Sequence, residues 1–70
     1  MLAITRNGEI YDGRTYVGEV RACSIYDPEG ASYVHIIKDK RERYGMPQDP
    51  YDLFFDTRAT ATEFVCNLKN

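Results

Sequence analysis

Residues 53–68 read LFFDTRATATEFVCNL. The period changes midway through this stretch. Leu53 and Phe55 alternate with Phe54, the two-residue repeat of a strand. Asp56 or Thr57 then offers a side-chain oxygen of the kind that caps a helix. Beyond it Ala61, Phe64, Val65 and Leu68 fall at i, i+3, i+4 and i+7, one apolar stripe on a helix of about 12 residues. Lys69 near its end suits the helix dipole. So short a helix is marginal alone in water and must dock. A strand over 51–56 therefore feeds a C-terminal helix, and the helix needs a sheet face to lie on.

The residues before it supply that sheet. Residues 2–12 read as a hairpin: Leu2-Ala3-Ile4-Thr5-Arg6 alternates, Asn7-Gly8 is a hairpin turn signal, and Glu9-Ile10-Tyr11 returns. A two-residue loop would set Ile10 against Thr5 and split the apolar set between faces. A loop one residue longer, with Gly8 left-handed, pairs Ile4 with Ile10 and is favoured. Asp12-Gly13 is a second turn. Residues 14–27 form a long extended stretch that bends at Gly18, with Tyr16, Val20, Ala22 and Tyr26 on one face and Val17, Glu19, Arg21, Cys23 and Ile25 on the other. Asp27-Pro28-Glu29-Gly30 is a turn with Pro in the position its φ suits. Residues 32–38 return, with Val34, Ile36 and Lys38 on one side and Tyr33, His35 and Ile37 on the other. Residues 39–50 show no period and read as a loop. The expected fold is α+β: an antiparallel β-meander of four to five strands with one C-terminal α-helix packed on one face. The face bearing Val20 and Ala22 is the natural seat, since a small Ala22 leaves room for Phe64.

Size and charge narrow the functions. The chain has 70 residues, 43% of them hydrophobic, and a formal net charge of −2. That is one small domain, 1–70, and too apolar for a disordered tail. No apolar run nears the roughly 20 residues that span a bilayer, and no secretory h-region is visible. Two cysteines, Cys23 and Cys66, are few for a secreted scaffold, so a cytoplasmic protein with reduced thiols is expected, a Cys23–Cys66 bridge being the alternative. A chain this small builds a deep catalytic pocket with difficulty, and neither an enzyme nor a cofactor is expected.

Candidate chemistry is sparse. His35 is the only histidine, and neither Cys23 nor Ser24 is spaced to pair with it as a nucleophile. Zinc would need four ligands, and Cys23, His35, Cys66 and an Asp form no motif. Asp49, Asp52 and Asp56 cluster without the Gly and Glu of a calcium loop and read as a solvated acidic edge. Lys38, Lys40, Arg41 and Arg43, followed by Tyr44, could contact phosphate and stack on a base, although Asp39 and Glu42 cut the local sum. Six tyrosines and no tryptophan suit a protein contact, since Tyr brings area and a polar tip at low entropy cost.

The segment 53–61, LFFDTRATA, is similar to a strand-to-helix junction in three-stranded-sheet-plus-helix modules such as the arm-type DNA-binding domains of phage integrases. That resemblance implies a sheet that reads DNA, in modules that are basic where this chain is acidic. In size and charge the chain also looks like phage-borne inhibitors of host defence or transcription complexes. The expected function is non-enzymatic, stoichiometric protein binding, with Tyr16, Tyr33, Lys40, Arg41, Arg43 and Tyr44 in contact and Asp49 and Asp52 facing basic partners. The alternative is nucleic-acid binding through loop 38–44. Either a monomer or a homodimer fits, and no membrane is involved.

Overall fold

The computed structural model describes residues 2–48 and 52–68. The roles expected of Asp49, Tyr51 and Lys69 lie outside them. Five strands follow one another as an antiparallel meander, β1 (Leu2–Ile4), β2 (Glu9–Asp12), β3 (Thr15–Ala22), β4 (Ser32–Ile36) and β5 (Asp52–Phe55), with spatial order equal to chain order. Among the described residues one α-helix, α1 (Arg58–Cys66), packs on the sheet, touching β1, β3, β4 and β5. This is the expected α+β meander, with five strands.

The first hairpin has the longer loop. Ile4 pairs with Ile10, Thr5 N donates to Glu9 O at 2.8 Å, and Gly8 sits at φ +88°. Gly8 is required twice over. Its φ is left-handed, and its carbonyl accepts from Val20 N at 2.7 Å, so close that an added Cβ would strike the Val20 carbonyl.

Three expectations are corrected. The first concerns β3. Tyr16 and Val20 were expected on one face, but the β2–β3 register shifts. Ile10 faces Gly18 while Tyr11 faces Tyr16, leaving Val17 as the extra residue of a bulge. The bulge reverses the phase. Val17 turns inward with Val20, both fully buried, and Tyr16 joins Glu19 and Arg21 on the opposite side. The Val17 carbonyl accepts from Ile37 N at 2.9 Å, which ties the bulge to the chain beyond β4. Gly18 stands at the crossing, where a side chain would meet the His35 carbonyl and Ile36.

The second correction is the end of β3. The strand stops at Ala22 rather than running to residue 27. Ser24 Oγ accepts from Tyr26 N at 3.1 Å and Ser24 O from Asp27 N at 3.2 Å, a local turn that competes with the ladder. The expected 27–30 turn follows, with Gly30 N on Asp27 O at 3.1 Å.

The third is the segment 39–50, whose described part is not a free loop. Two 3-10 turns, Lys38–Lys40 and Glu42–Tyr44, fold it back against the core. Arg41 is 0% exposed and Tyr44 2%. The guanidinium donates to Pro47 O through Nε at 2.8 Å and to Ile36 O at 3.2 Å, while Met46 N returns to Arg41 O at 2.9 Å. The segment is thus wound around its own arginine. Tyr44 and Met46 join one buried cluster with Ile10, Val17, Val20, Val34, Ile36, Ala61 and Val65.

The helix behaves as its stripe requires. Thr57 is the cap, accepting from Thr60 N at 3.1 Å. Ala61 and Val65 are buried, and Phe64 tilts onto Phe55 with ring centroids 5.2 Å apart. The helix proper has nine residues, fewer than expected, because Leu68 N closes onto Val65 O in a tighter last turn that still lays Leu68 on the core.

Candidate interaction face

Directly paired residues share a sheet face, so the register assigns both sides. The inner side holds Leu2, Ile4, Ile10, Val20, Val34, Ile36, Leu53 and Phe55, under the helix and the wound segment. The outer side holds three rows running across the strands. The middle row is Glu9, Glu19, His35 and Asp52. On one side of it lie Ala3, Tyr11 and Tyr16, and on the other Arg21, Tyr33 and Phe54.

The aromatic rows are ordered. Tyr11 and Tyr16 meet edge to face with centroids 5.8 Å apart, and Tyr33 and Phe54 lie tilted at 5.6 Å. Phe54 is nonetheless 68% exposed, on an edge strand where no neighbour covers its outer flank among the described residues. Next to this row, the β3–β4 connection carries Ile25 and Tyr26, exposed by 87% and 91%. The connection is held in place from the helix side by Arg58 N on Glu29 O at 3.1 Å.

The middle row is knit by polar contacts. His35 Nδ1 lies 2.8 Å from Asp52 Oδ1. Tyr16 Oη donates to Glu19 Oε1 at 3.1 Å, and Arg21 Nε lies 2.8 Å from Glu19 Oε2. The Arg21 bond, with a smaller contribution from Tyr16, holds the Glu19 carboxyl below its ordinary range, so it is ionised at neutral pH. Desolvation, then the bond to Glu19, pushes the Tyr16 phenol up.

His35 therefore pairs with a carboxylate. Cys23 and Ser24, the nucleophiles the sequence offered, stand beyond the row. Cys23 follows the last residue of β3, four residues past Glu19, the cross-strand partner of His35. Cys23 and Cys66 are both exposed and unbridged. Among the described residues no three or more His, Cys, Asp or Glu side chains are placed to hold a metal ion, and no helix is long and apolar enough to cross a membrane.

The expected contact residues separate into groups. Tyr16, Tyr33 and Asp52 come together on the outer face. Lys40 and Arg43 belong to the wound segment, where Arg43 Nε approaches Asp12 Oδ2 at 3.9 Å and its guanidinium lies 5.9 Å from the Tyr44 ring. Arg41 and Tyr44 are corrected: their side chains are buried and present no surface to a partner. Tyr44 Oη donates to Asp12 Oδ2 at 2.7 Å, which draws the Asp12 carboxyl below its ordinary range, while burial, then that bond, raises the phenol. Sequence reasoning missed the exposure of Ile25 and Tyr26, which it placed in a strand. The Ser24 side chain was the available signal. Phe54 was legible as the odd member of its alternation.

A comparison of the chain with protein-family models, curated proteins and solved structures gave no match in any of the three.

Proposed function

We propose that this protein is a non-enzymatic binding module that works by stoichiometric occupation of another protein through its outer sheet face. The observation carrying this reading is the exposure of Phe54, Ile25 and Tyr26 beside an ordered tyrosine-bearing sheet. Large exposed side chains, Phe54 on the outer face and Ile25 and Tyr26 on the β3–β4 connection, are the usual anchors of a protein contact. An inhibitor or regulator of a host complex, of the kind phages carry, needs no more machinery than such a face.

The contact set accordingly keeps Tyr16, Tyr33 and Asp52, gives up the 38–44 segment, and adds Phe54, Ile25 and Tyr26. The nucleic-acid alternative loses one of its four cations, because Arg41 points inward. Lys38, Lys40 and Arg43 remain to it.

The test is affinity capture from the native host with three baits: wild type, Arg43→Ala, and an Ile25→Ser/Tyr26→Ser/Phe54→Ser triple variant. A partner retained by the first two and lost by the third supports the reading. Equal recovery by all three overturns it. Salt-sensitive binding of a labelled oligonucleotide that Arg43→Ala weakens would favour the alternative.

A further inference from the structure

We infer that the outer face takes a cationic segment of its partner, with arginine or lysine side chains laid along the row of Glu9, Glu19, His35 and Asp52 between the two aromatic rows. This deepens the docking reading above and rests on it.

The first argument is charge complementarity. The strand residues of the outer face carry three carboxylates, Glu9, Glu19 and Asp52, against one guanidinium, Arg21. That imbalance equals the net charge of the whole chain, −2, so the other eight acidic and eight basic residues cancel. The excess is gathered on the one sheet face that neither the helix nor the wound segment covers.

The second argument is internal conflict. Glu9 and Glu19 are direct cross-strand partners. Like charges in that relation repel and weaken the sheet that holds them. Arg21 lies against the Glu19 carboxylate, and His35 against Asp52. A cation from outside, seated over Glu9 and Glu19, would relieve the repulsion that the fold otherwise carries.

The third argument is the flanking rings. Tyr11 and Tyr16 on one side, and Tyr33 and Phe54 on the other, present aromatic faces and edges beside the carboxylates. An arginine or lysine there gains ring attraction as well as charge pairing, and its methylene stem covers apolar surface. A phosphate backbone would meet the same row as repulsion.

The experiment is an amide-shift NMR titration of the full chain with three probes: a capped (Gly-Arg)4 peptide, a capped (Gly-Glu)4 peptide and a ten-nucleotide oligothymidylate. Saturable shifts with the arginine peptide alone are expected, confined to Glu9, Tyr11, Tyr16, Glu19, Tyr33, His35, Asp52 and Phe54, and weakening as salt is raised. The Glu9→Gln/Glu19→Gln variant should bind about tenfold more weakly, two charge contacts each costing about threefold. Glu9→Gln alone should raise the melting temperature of the free protein while lowering its affinity. A merely structural role would not give those opposite signs. The inference is overturned by absence of binding, by affinity unchanged in the double variant, by shifts centred on Lys38 and Arg43, or by preference for the oligonucleotide. If the peptide fails while the Ile25/Tyr26/Phe54 variant still loses a captured partner, only the cationic assignment falls. If that variant retains every partner, the docking reading falls whatever the peptide does.

Discussion

Arg41 distinguishes a wound structural segment from a free binding loop, and its replacement by alanine tests the difference. The side chain is fully buried and donates to Ile36 O and Pro47 O, at opposite ends of the segment it organises. Hydrogen bonds from a charged donor contribute about 1.5–3 kcal/mol each. Truncation removes two of them, so a loss of about 3–5 kcal/mol follows. A 70-residue domain holds about 3.5–10 kcal/mol in total at ~0.05–0.15 kcal/mol per residue. The variant should therefore keep about 70% of its stability at best, and at the lower totals it should not fold at all. Urea unfolding followed by tyrosine fluorescence and far-ultraviolet circular dichroism measures this directly. With a slope of about 1 kcal/mol/M, the midpoint should fall by about 3 M or the folded baseline should vanish. Arg41→Lys should lose about half as much, because one ammonium cannot hold two separated carbonyls as a guanidinium fork does. Arg43→Ala should stay within about 0.5 kcal/mol of wild type, its ion pair being long and exposed. An Arg41→Ala midpoint equal to that of Arg43→Ala would refute the buried-staple account and return Arg41 to the surface.

Other outcomes follow from single contacts. Gly8→Ala should cost at least about 2 kcal/mol in chemical denaturation, since it combines a left-handed φ with a collision at the Val20 carbonyl. Thr57→Ala removes the cap on Thr60 N and should lower stability by about 1 kcal/mol, with Thr57→Ser recovering most of it. The Asp12 and Glu19 carboxyls both titrate below their ordinary values of 3.8 and 4.5 in the fold. A depressed carboxyl contributes stability that is whole above its unfolded value and lost as pH falls through the folded one. Thermal midpoints should accordingly drop below about pH 4.5, and Tyr44→Phe should flatten the part of that drop below pH 3.8. Tyr44 has the opposite sense: its raised phenol stabilises the fold below pH 10.0 and ceases to do so as pH climbs through the folded value, so wild type should lose stability there and Tyr44→Phe should lose less.

The parts of this protein written in local code were legible. Asn7-Gly8 with its alternating flanks specified the hairpin and even the longer loop, because only that loop brings Ile4 opposite Ile10. Thr57 and the Ala61/Phe64/Val65/Leu68 stripe specified a capped helix with one face to bury. Alternation at 53–55 put Phe54 opposite Leu53 and Phe55. Of the outer face, Tyr33 followed from the same two-residue period.

What escaped the sequence depends on contacts between residues far apart in the chain. A single extra residue at Val17 reverses every side chain before it, and its carbonyl is met by Ile37, twenty positions away. No local pattern announces that, so Tyr16 changes face only in the folded sheet. Arg41 and Tyr44 read as a charged, solvated loop because their neighbours are polar and aperiodic. They turn inward because the core face left open beside the helix is closed by Tyr44 reaching Asp12, and because the guanidinium reaches the Ile36 and Pro47 carbonyls. Periodicity determines which elements form and which face each must bury. Register, bulges and the pairing of buried polar groups are settled only when the elements meet, and here they decide which residues are left on the outer face.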